Sequence, residues 1–369
     1  MHHDIIMELI LLVSTTLYCC AVIIVLIKIS AKQVIVGWEK KPFISIIIAA
    51  RNEEMRIKST LESLSQLNYN TEKYEVIIVD DASTDQTVAL IKEYADNRAN
   101  WKLLRILKKN DTLKGKKAAL KKAILEARGD IILTTDADCV VPKEWCEEMA
   151  AVFDDETIMV LGHALLFQKK GWLNKWLRFD NLFSGILMAA TTMLGFPMTS
   201  VGRNMAYRRE AYLKSGGFDQ LSGHKSGDDV HLTELFRRKI EGKIKFNLNK
   251  KSFTISKPPD SWKEIIHQQI RKNSKILNKS FPSIVLSFFL FFYHALLVVF
   301  PFIFPSLTLF WTMLLALKLI CEFITLYISA KKFSDISTMW LIPLMQIFYP
   351  LYVTVLGIVG IFQSYEWKK

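Results

Sequence analysis

The chain has 369 residues, is 51% hydrophobic and carries a net charge of +12 with a mean hydropathy of +0.20. That is more apolar than a soluble protein of this length, so part of it belongs in lipid. Residues 29–280 hold 42 of the 48 basic residues and 31 of the 36 acidic ones. A membrane-tethered domain facing anionic headgroups explains this basic excess more simply than nucleic-acid binding does.

In chain order, the apolar run 5–27 contains one acid, Glu8, and is long enough to cross a bilayer core. It has no basic leader and no small-residue cleavage pattern, which predicts an uncleaved anchor over 1–28. The run 43–50 is β-branched, ends in Arg51-Asn52-Glu53-Glu54 and is followed by helical spacing through Ile57, Leu61, Leu64 and Leu67. The unit repeats over 74–79, which ends in Asp80-Asp81-Ala82-Ser83-Thr84-Asp85 before a helix through Val88, Ile91 and Tyr94. Further strands are predicted at 103–107 and 131–134. Continuous apolar strands alternating with helices predict an α/β fold with a parallel sheet covered on both faces. Ligands of such sheets bind at the carboxyl ends of the strands, where the acidic clusters sit.

Between the third and fourth strands, a basic loop at 108–114 leads through Gly115 to Lys116 and Lys117, which open a helix over 118–126. A helix N-terminus with a lysine beside it is suited to a diphosphate; a solvated basic turn is the alternative. The fourth strand ends in Asp136-Ala137-Asp138. Alternation along an extended chain turns both carboxylates to one side, where they can face one hard cation, although such a triplet also arises in surface turns.

Farther on, 168–179 interleaves Trp172 and Trp176 with Lys169, Lys170, Lys175 and Arg178, as membrane-interface segments do. The stretch 182–197 continues it as interfacial or acceptor-facing, with core packing against the sheet as the alternative. Gly227-Asp228-Asp229 precedes an amphipathic helix through Leu235 and Phe236; an acidic helix cap would account for one of the two acids. After Pro282 the composition turns apolar, with few charges. Three spans are predicted at 283–304, 307–330 and 339–362, with Pro301 and Pro305 marking the first break. The cysteines at 19, 20, 139, 146 and 321 form no CxxC pair, so free thiols and no zinc are expected.

Taken together, IIIAARNEE (46–54), VDDASTD (79–85), GKKAAL (115–120), ARGDIILTTDAD (127–138) and GRNMAYR (202–208) resemble the membrane-bound inverting glycosyltransferases of family 2, over about 40–275. The resemblance implies a GT-A fold with a Rossmann-like mixed sheet, a nucleotide-sugar donor and a divalent metal, Mn2+ or Mg2+. It implies that Ala50 and Glu53 line the nucleoside pocket, Asp81 contacts the base, Lys116 lies near the diphosphate, Asp136 lies by the ribose and Asp138 holds the metal. Gly202 and Asn204 fall on the donor side. An inverting transfer needs a carboxylate base separate from the metal ligand. The family pair usually reads Glu-Asp with its second member as base, here Asp229, so Asp228 departs from the pattern. Gln268 and Arg271 match the family's QxxRW segment in the acceptor and diphosphate region, but Lys272 stands where its tryptophan would be.

The expected organisation is therefore an anchor (1–28), a cytoplasmic catalytic domain (29–280) and C-terminal transmembrane helices (281–369) in a multi-pass protein of the cell membrane. The expected activity is transfer of one sugar to a lipid or lipid-linked acceptor. A processive polysaccharide synthase, which Lys272 disfavours, and a non-catalytic nucleotide-binding scaffold are the alternatives.

Overall fold

The computed structural model describes residues 2–33, 41–106, 113, 115–223, 227–259, 264–265, 281–345 and 348. These form two units. One comprises 32–168 and 191–257; the other comprises 1–31, 169–190 and 258–369. The expected catalytic span 29–280 thus contributes 169–190 and its last residues to the second unit.

In the first unit the β-branched runs become strands buried along almost their whole length. They are β1 (Ile44–Ala50), β2 (Tyr74–Asp80) and β4 (Ile131–Asp136), joined by β3 (Trp101–Arg105), β6 (Thr157–Leu161), β8 (Met205–Arg208) and β9 (Lys243–Phe246). The strand order is β3-β2-β1-β4-β8-β6-β9. β1, β2, β3 and β4 run parallel, whereas β8 runs antiparallel to both β4 and β6, so the sheet is mixed. A second sheet orders β5 (Cys139–Val140), β10 (Thr254–Ser256) and β7 (Ala164–Leu166) as β5-β10-β7.

Helices α2 (Ile57–Ser65), α3 (Thr87–Ala95), α4 (Lys116–Glu126), α5 (Trp145–Ala150) and α7 (Arg209–Ser215) follow the strands. Ile57, Leu61 and Leu64 of α2 and Trp145, Cys146 and Met149 of α5 close over Ile46, Ile48, Val76, Ile78 and Leu133 in one core. Burying a side chain of this kind contributes about 1.5–3 kcal/mol, and this continuous core fixes the strand ends on which the polar loops sit.

Register places those ends side by side: Ala50 is opposite Asp80, Ala49 opposite Asp136, and Asp80 opposite Arg105. Strand 101–105 begins and ends two residues earlier than the expected 103–107, and α4 begins at Lys116 rather than 118.

The second unit contains α1 (His2–Ser30), the first nineteen residues of α6 (Trp172–Met193), α9 (Phe281–Ile303) and α10 (Thr308–Lys332). Three segments, 4–30, 281–303 and 305–332, are long and apolar enough to cross a membrane. Pro301 lies inside α9, and the break falls at Phe304. The third C-terminal span expected, 339–362, lies mostly outside the described residues.

α1 and α10 run parallel: Tyr18 donates to Glu322, and Lys332 Nζ donates to the Ile29 carbonyl at 2.6 Å. Lys318 pairs with Glu322 at 2.8 Å and lies 5.5 Å from the Tyr18 ring centre. Beyond the C-terminus of α10, Asp335 forms a buried ion pair with Arg178 of α6. Trp340 meets the Trp172 ring edge-on, with centroids 5.4 Å apart, and carries Lys175 at 5.0 Å from its own ring centre. These contacts explain why α6 belongs to the helical unit.

Candidate active site

Two loops leave the carboxyl ends of β1 and β2 and hold each other. Asn52 and Ala82 adopt left-handed backbone, φ 54° and 55°. Asn52 N–H donates to Ser83 Oγ at 3.0 Å, its side-chain oxygen accepts from Thr84 N at 2.9 Å, and Glu53 N–H donates to Thr87 Oγ1 at 2.8 Å. Ala50 is buried, and its carbonyl accepts from Asp81 N at 2.9 Å. Asp81 is itself 7% exposed, with Arg51 Nη1 3.6 Å from its Oδ2. Gly115, at φ 63°, faces the same oxygen: a Cβ built there would stand 3.9 Å from it.

The β4–β5 turn carries the paired acids. Thr60 Oγ1 donates to the buried Ala137 carbonyl at 2.8 Å and pins the turn to α2, leaving Asp136 and Asp138 half-buried on either side. Burial first, and then the Asp138 and Asp136 charges, push the Glu53 carboxyl above its ordinary range, against the pull of Arg56. Glu53, Asp136 and Asp138 therefore form one concentration of like charge and hard oxygen donors. Among the described residues no three His, Cys, Asp or Glu side chains are placed to hold an ion by themselves. One or two carboxylates suffice for a cation that also binds substrate phosphates and water, so the donor set fits such a cation.

Opposite these acids, Lys116 Nζ forms an ion pair with Asp136. Burial alone would lower the Lys116 ammonium, but the Asp136, Asp228 and Asp229 carboxylates raise it above the ordinary lysine range. Although 40% of its side-chain surface is accessible, the amine is a fixed cation within three carboxylates.

Gly202 lies between the two acidic groups. Its N–H donates to Asp229 Oδ2 at 2.9 Å, and its carbonyl accepts from Thr134 Oγ1 at 3.1 Å. A Cβ at this position would stand 3.6 Å from Asp229 Cβ and 3.8 Å from Lys116 Nζ. Asp229 Oδ1 accepts from Val230 N at 2.9 Å, in the first turn of α8 (Asp228–Lys239). Asp136 is thus paired with Lys116 and Asp229 bonded to Gly202, with Gly115 facing Asp81 and Gly202 facing Lys116, and Asp136 and Asp138 both act on Glu53.

Asn204 differs from its expected place on the donor side. It is fully buried; its amide donates to the carbonyls of His163 at 2.7 Å and Ser252 at 2.8 Å, and its oxygen accepts from Trp145 Nε1 at 2.9 Å. It ties β8 to α5 and the second sheet, and its polar atoms are occupied by protein. Gln268 and Arg271 lie outside the described residues.

The family profile described as Glycosyl transferase family 2 matches residues 45–216, and that of Glycosyl transferase family group 2 matches 131–362, more than half of the chain. The chain belongs to glycosyl transferase family 2. It is 27% identical over 239 residues to a probable glycosyltransferase, YdaM, of Bacillus subtilis, with 62% of this chain and 54% of that protein covered. It is 29% identical over 194 residues to a beta-monoglucosyldiacylglycerol synthase of Nostoc sp., covering 52% of this chain and 40% of that one. The chain therefore spans about half or less of the length of these relatives. Its fold is similar to that of a mannosyltransferase from Pyrobaculum calidifontis solved with GDP-Man and Mn2+. The TM-score is 0.56 at 17% identity, over 93% of this chain and 99% of that one. The likeness identifies the GT-A fold of this family 2 chain.

Two residues that the sequence gives no separate site role are brought close by the fold. Arg51 adjoins Asp81, and the buried Lys117 reaches Leu221 and Asp228. The doublet Lys116-Lys117 is the available signal for the second.

Proposed function

We propose that this glycosyltransferase moves a single sugar, with inversion, from a nucleoside-diphosphate donor to the hydroxyl of a lipid or lipid-linked acceptor at the inner face of the cell membrane. The observation that carries the reading is Lys116. It pairs with the strand-end acid Asp136 while lying in the field of Asp229, so a cationic centre suited to a diphosphate adjoins a carboxylate suited to be a base. Gly202, with no side chain, leaves room between them.

In this reading Asp229 takes the proton of the acceptor hydroxyl as its oxygen bonds to the anomeric carbon. The bond from that carbon to the diphosphate oxygen breaks on the opposite face. Lys116 opposes the charge that develops on the departing diphosphate, while Asp81, Ala50 and Glu53 line the nucleoside side. A divalent cation, Mn2+ or Mg2+, held by Asp138 with Asp136 or Glu53 would neutralise leaving-group charge.

The helical unit is the membrane part in this proposal. Because α1 and α10 run parallel and end together, Lys28, Lys331 and Lys332 gather at one end of the bundle, which the positive-inside rule assigns to the cytoplasm. The test is to screen the purified protein across a panel of nucleotide sugars with native membrane lipid. Metal-dependent transfer to a lipid product with inverted anomeric configuration supports the reading; transfer with retention, or no turnover of any nucleotide sugar, defeats it.

A further inference from the structure

Lys116 and Lys117 are neighbours in sequence, yet their amines make different contacts. Lys117 is 6% exposed. Its Nζ donates to the Leu221 carbonyl at 2.9 Å and stands 3.6 Å from Asp228 Oδ1. Leu221 ends the 3-10 turn Gly217–Leu221, and Asp228 opens α8, so one buried cation joins both ends of the segment that delivers Asp229. One turn farther along α4, Lys121 Nζ pairs with Asp219 of the same 3-10 turn at 2.7 Å. From the far side, the Gly202 N–H holds Asp229 Oδ2.

We propose that Lys117 is a positioning residue for the transfer: it clamps Leu221 and Asp228, and so fixes the first turn of α8 and the direction in which Asp229 presents its carboxylate. Burying an ammonium is costly unless it is paired and hydrogen-bonded, and both conditions are met on the segment carrying the acid pair. The shorter side chain of Asp228 thereby has a structural role, as the anionic end of the clamp. Lys117 touches neither donor nor acceptor in this assignment. Its removal alters catalysis through the orientation of Asp229, and the inference rests on the reading of Asp229 as base.

The experiment compares Lys117→Met, Lys116→Met and Asp229→Asn in the full-length protein, measuring turnover with native membrane lipid and calorimetric affinity for the donor nucleotide with Mn2+. Lys117→Met is expected to lower kcat about 10- to 100-fold, the scale of a misplaced reacting group, with donor affinity unchanged and with partial recovery in Lys117→Arg. Lys116→Met is expected to weaken donor affinity. Wild-type kcat in Lys117→Met alongside an inactive Asp229→Asn overturns the clamp, as does a loss of donor affinity in Lys117→Met equal to that of Lys116→Met. Normal turnover in Asp229→Asn instead overturns the base reading beneath it. If Lys117→Met does not fold, Asp228→Asn cuts the same clamp from its more accessible side and is judged by the same two measurements.

Discussion

Replacing Asp229 with asparagine changes almost nothing in shape and removes the one property the proposal needs. The carboxylate accepts from Gly202 N at Oδ2 and from Val230 N at Oδ1, both at 2.9 Å. An amide has one oxygen, so one of these N–H groups loses its acceptor, costing up to about 1–3 kcal/mol if the site were dry and less in this half-buried position. At about 2–4 °C per kcal/mol for a unit of this size, the melting temperature should fall by a few degrees. Chemistry should suffer far more. An amide cannot take the acceptor proton, and losing a general base lowers turnover about 10²- to 10⁴-fold, or about 2.7–5.5 kcal/mol in the barrier. Donor affinity, which the proposal assigns to Lys116 and the Asp138 side of the site, should persist. The assay is single-turnover transfer from labelled donor to native membrane lipid, run well below the melting temperature beside calorimetry of the donor nucleotide. Near-normal turnover in Asp229→Asn combined with inactive Asp228→Asn would place the base one residue earlier and refute the assignment.

Asp138→Ala should abolish Mn2+-dependent donor binding; equal nucleotide affinity with and without the carboxylate in calorimetry would sink the cation assignment. Gly202→Ala should fold normally, because its Cβ meets nothing closer than 3.6 Å, yet lose activity by filling the space between Asp229 and Lys116. Gly162→Ala, whose Cβ would stand 2.4 Å from Asn204 Nδ2, should instead destabilise the sheet unit, and thermal melts of the two variants separate the cases. Burial, aided by the Arg203 cation, lowers the His163 imidazole to about 3. Unfolding then takes up a proton between that value and about 6.5, so stability should rise with pH across this window by on the order of 1.4 kcal/mol per unit, and His163→Gln should flatten the slope in urea titrations. Trp172→Ala with Trp176→Ala should lower acceptor use while leaving donor affinity intact, and the lipid product should carry one added sugar; a ladder of polymer lengths in mass spectrometry contradicts single transfer.

The four parallel strands were legible, the clearest because runs such as 44–50 and 74–80 are too uniformly apolar to face water on either side, a condition met only inside a covered sheet; β6 and β9 were not. Nor was β8, since four residues flanked by polar motif positions carry no periodicity to mark the strand or its antiparallel direction. The allegiance of α6 was also hidden. Its tryptophan and lysine pattern announced an interface, but the contacts that attach it to the helical unit, Arg178 to Asp335 and Trp172 to Trp340, join residues more than 150 positions apart. No local pattern records such a pairing.

At the site, spacing was sufficient where the backbone dictates direction and insufficient where it does not. Asp136 and Asp138 flank an alanine that is buried and bonded to α2 through Thr60, so both carboxylates stay half-buried and act on Glu53 together. Asn204 sits in a motif that suggests ligand contact, but whether its amide faces the pocket or the Trp145 indole depends on α5, about 55–60 residues upstream. Adjacent lysines pose the same problem in its sharpest form. Consecutive residues on a helix point about 100° apart, so Lys116 and Lys117 cannot serve one ligand in the same way. Here the first side chain turns toward Asp136, and the second turns toward Leu221 and Asp228. One helix N-terminus thereby contacts both Asp136 at the end of β4 and the segment that carries Asp229, so in the proposed reading the spacing between the donor side and the base is set by α4.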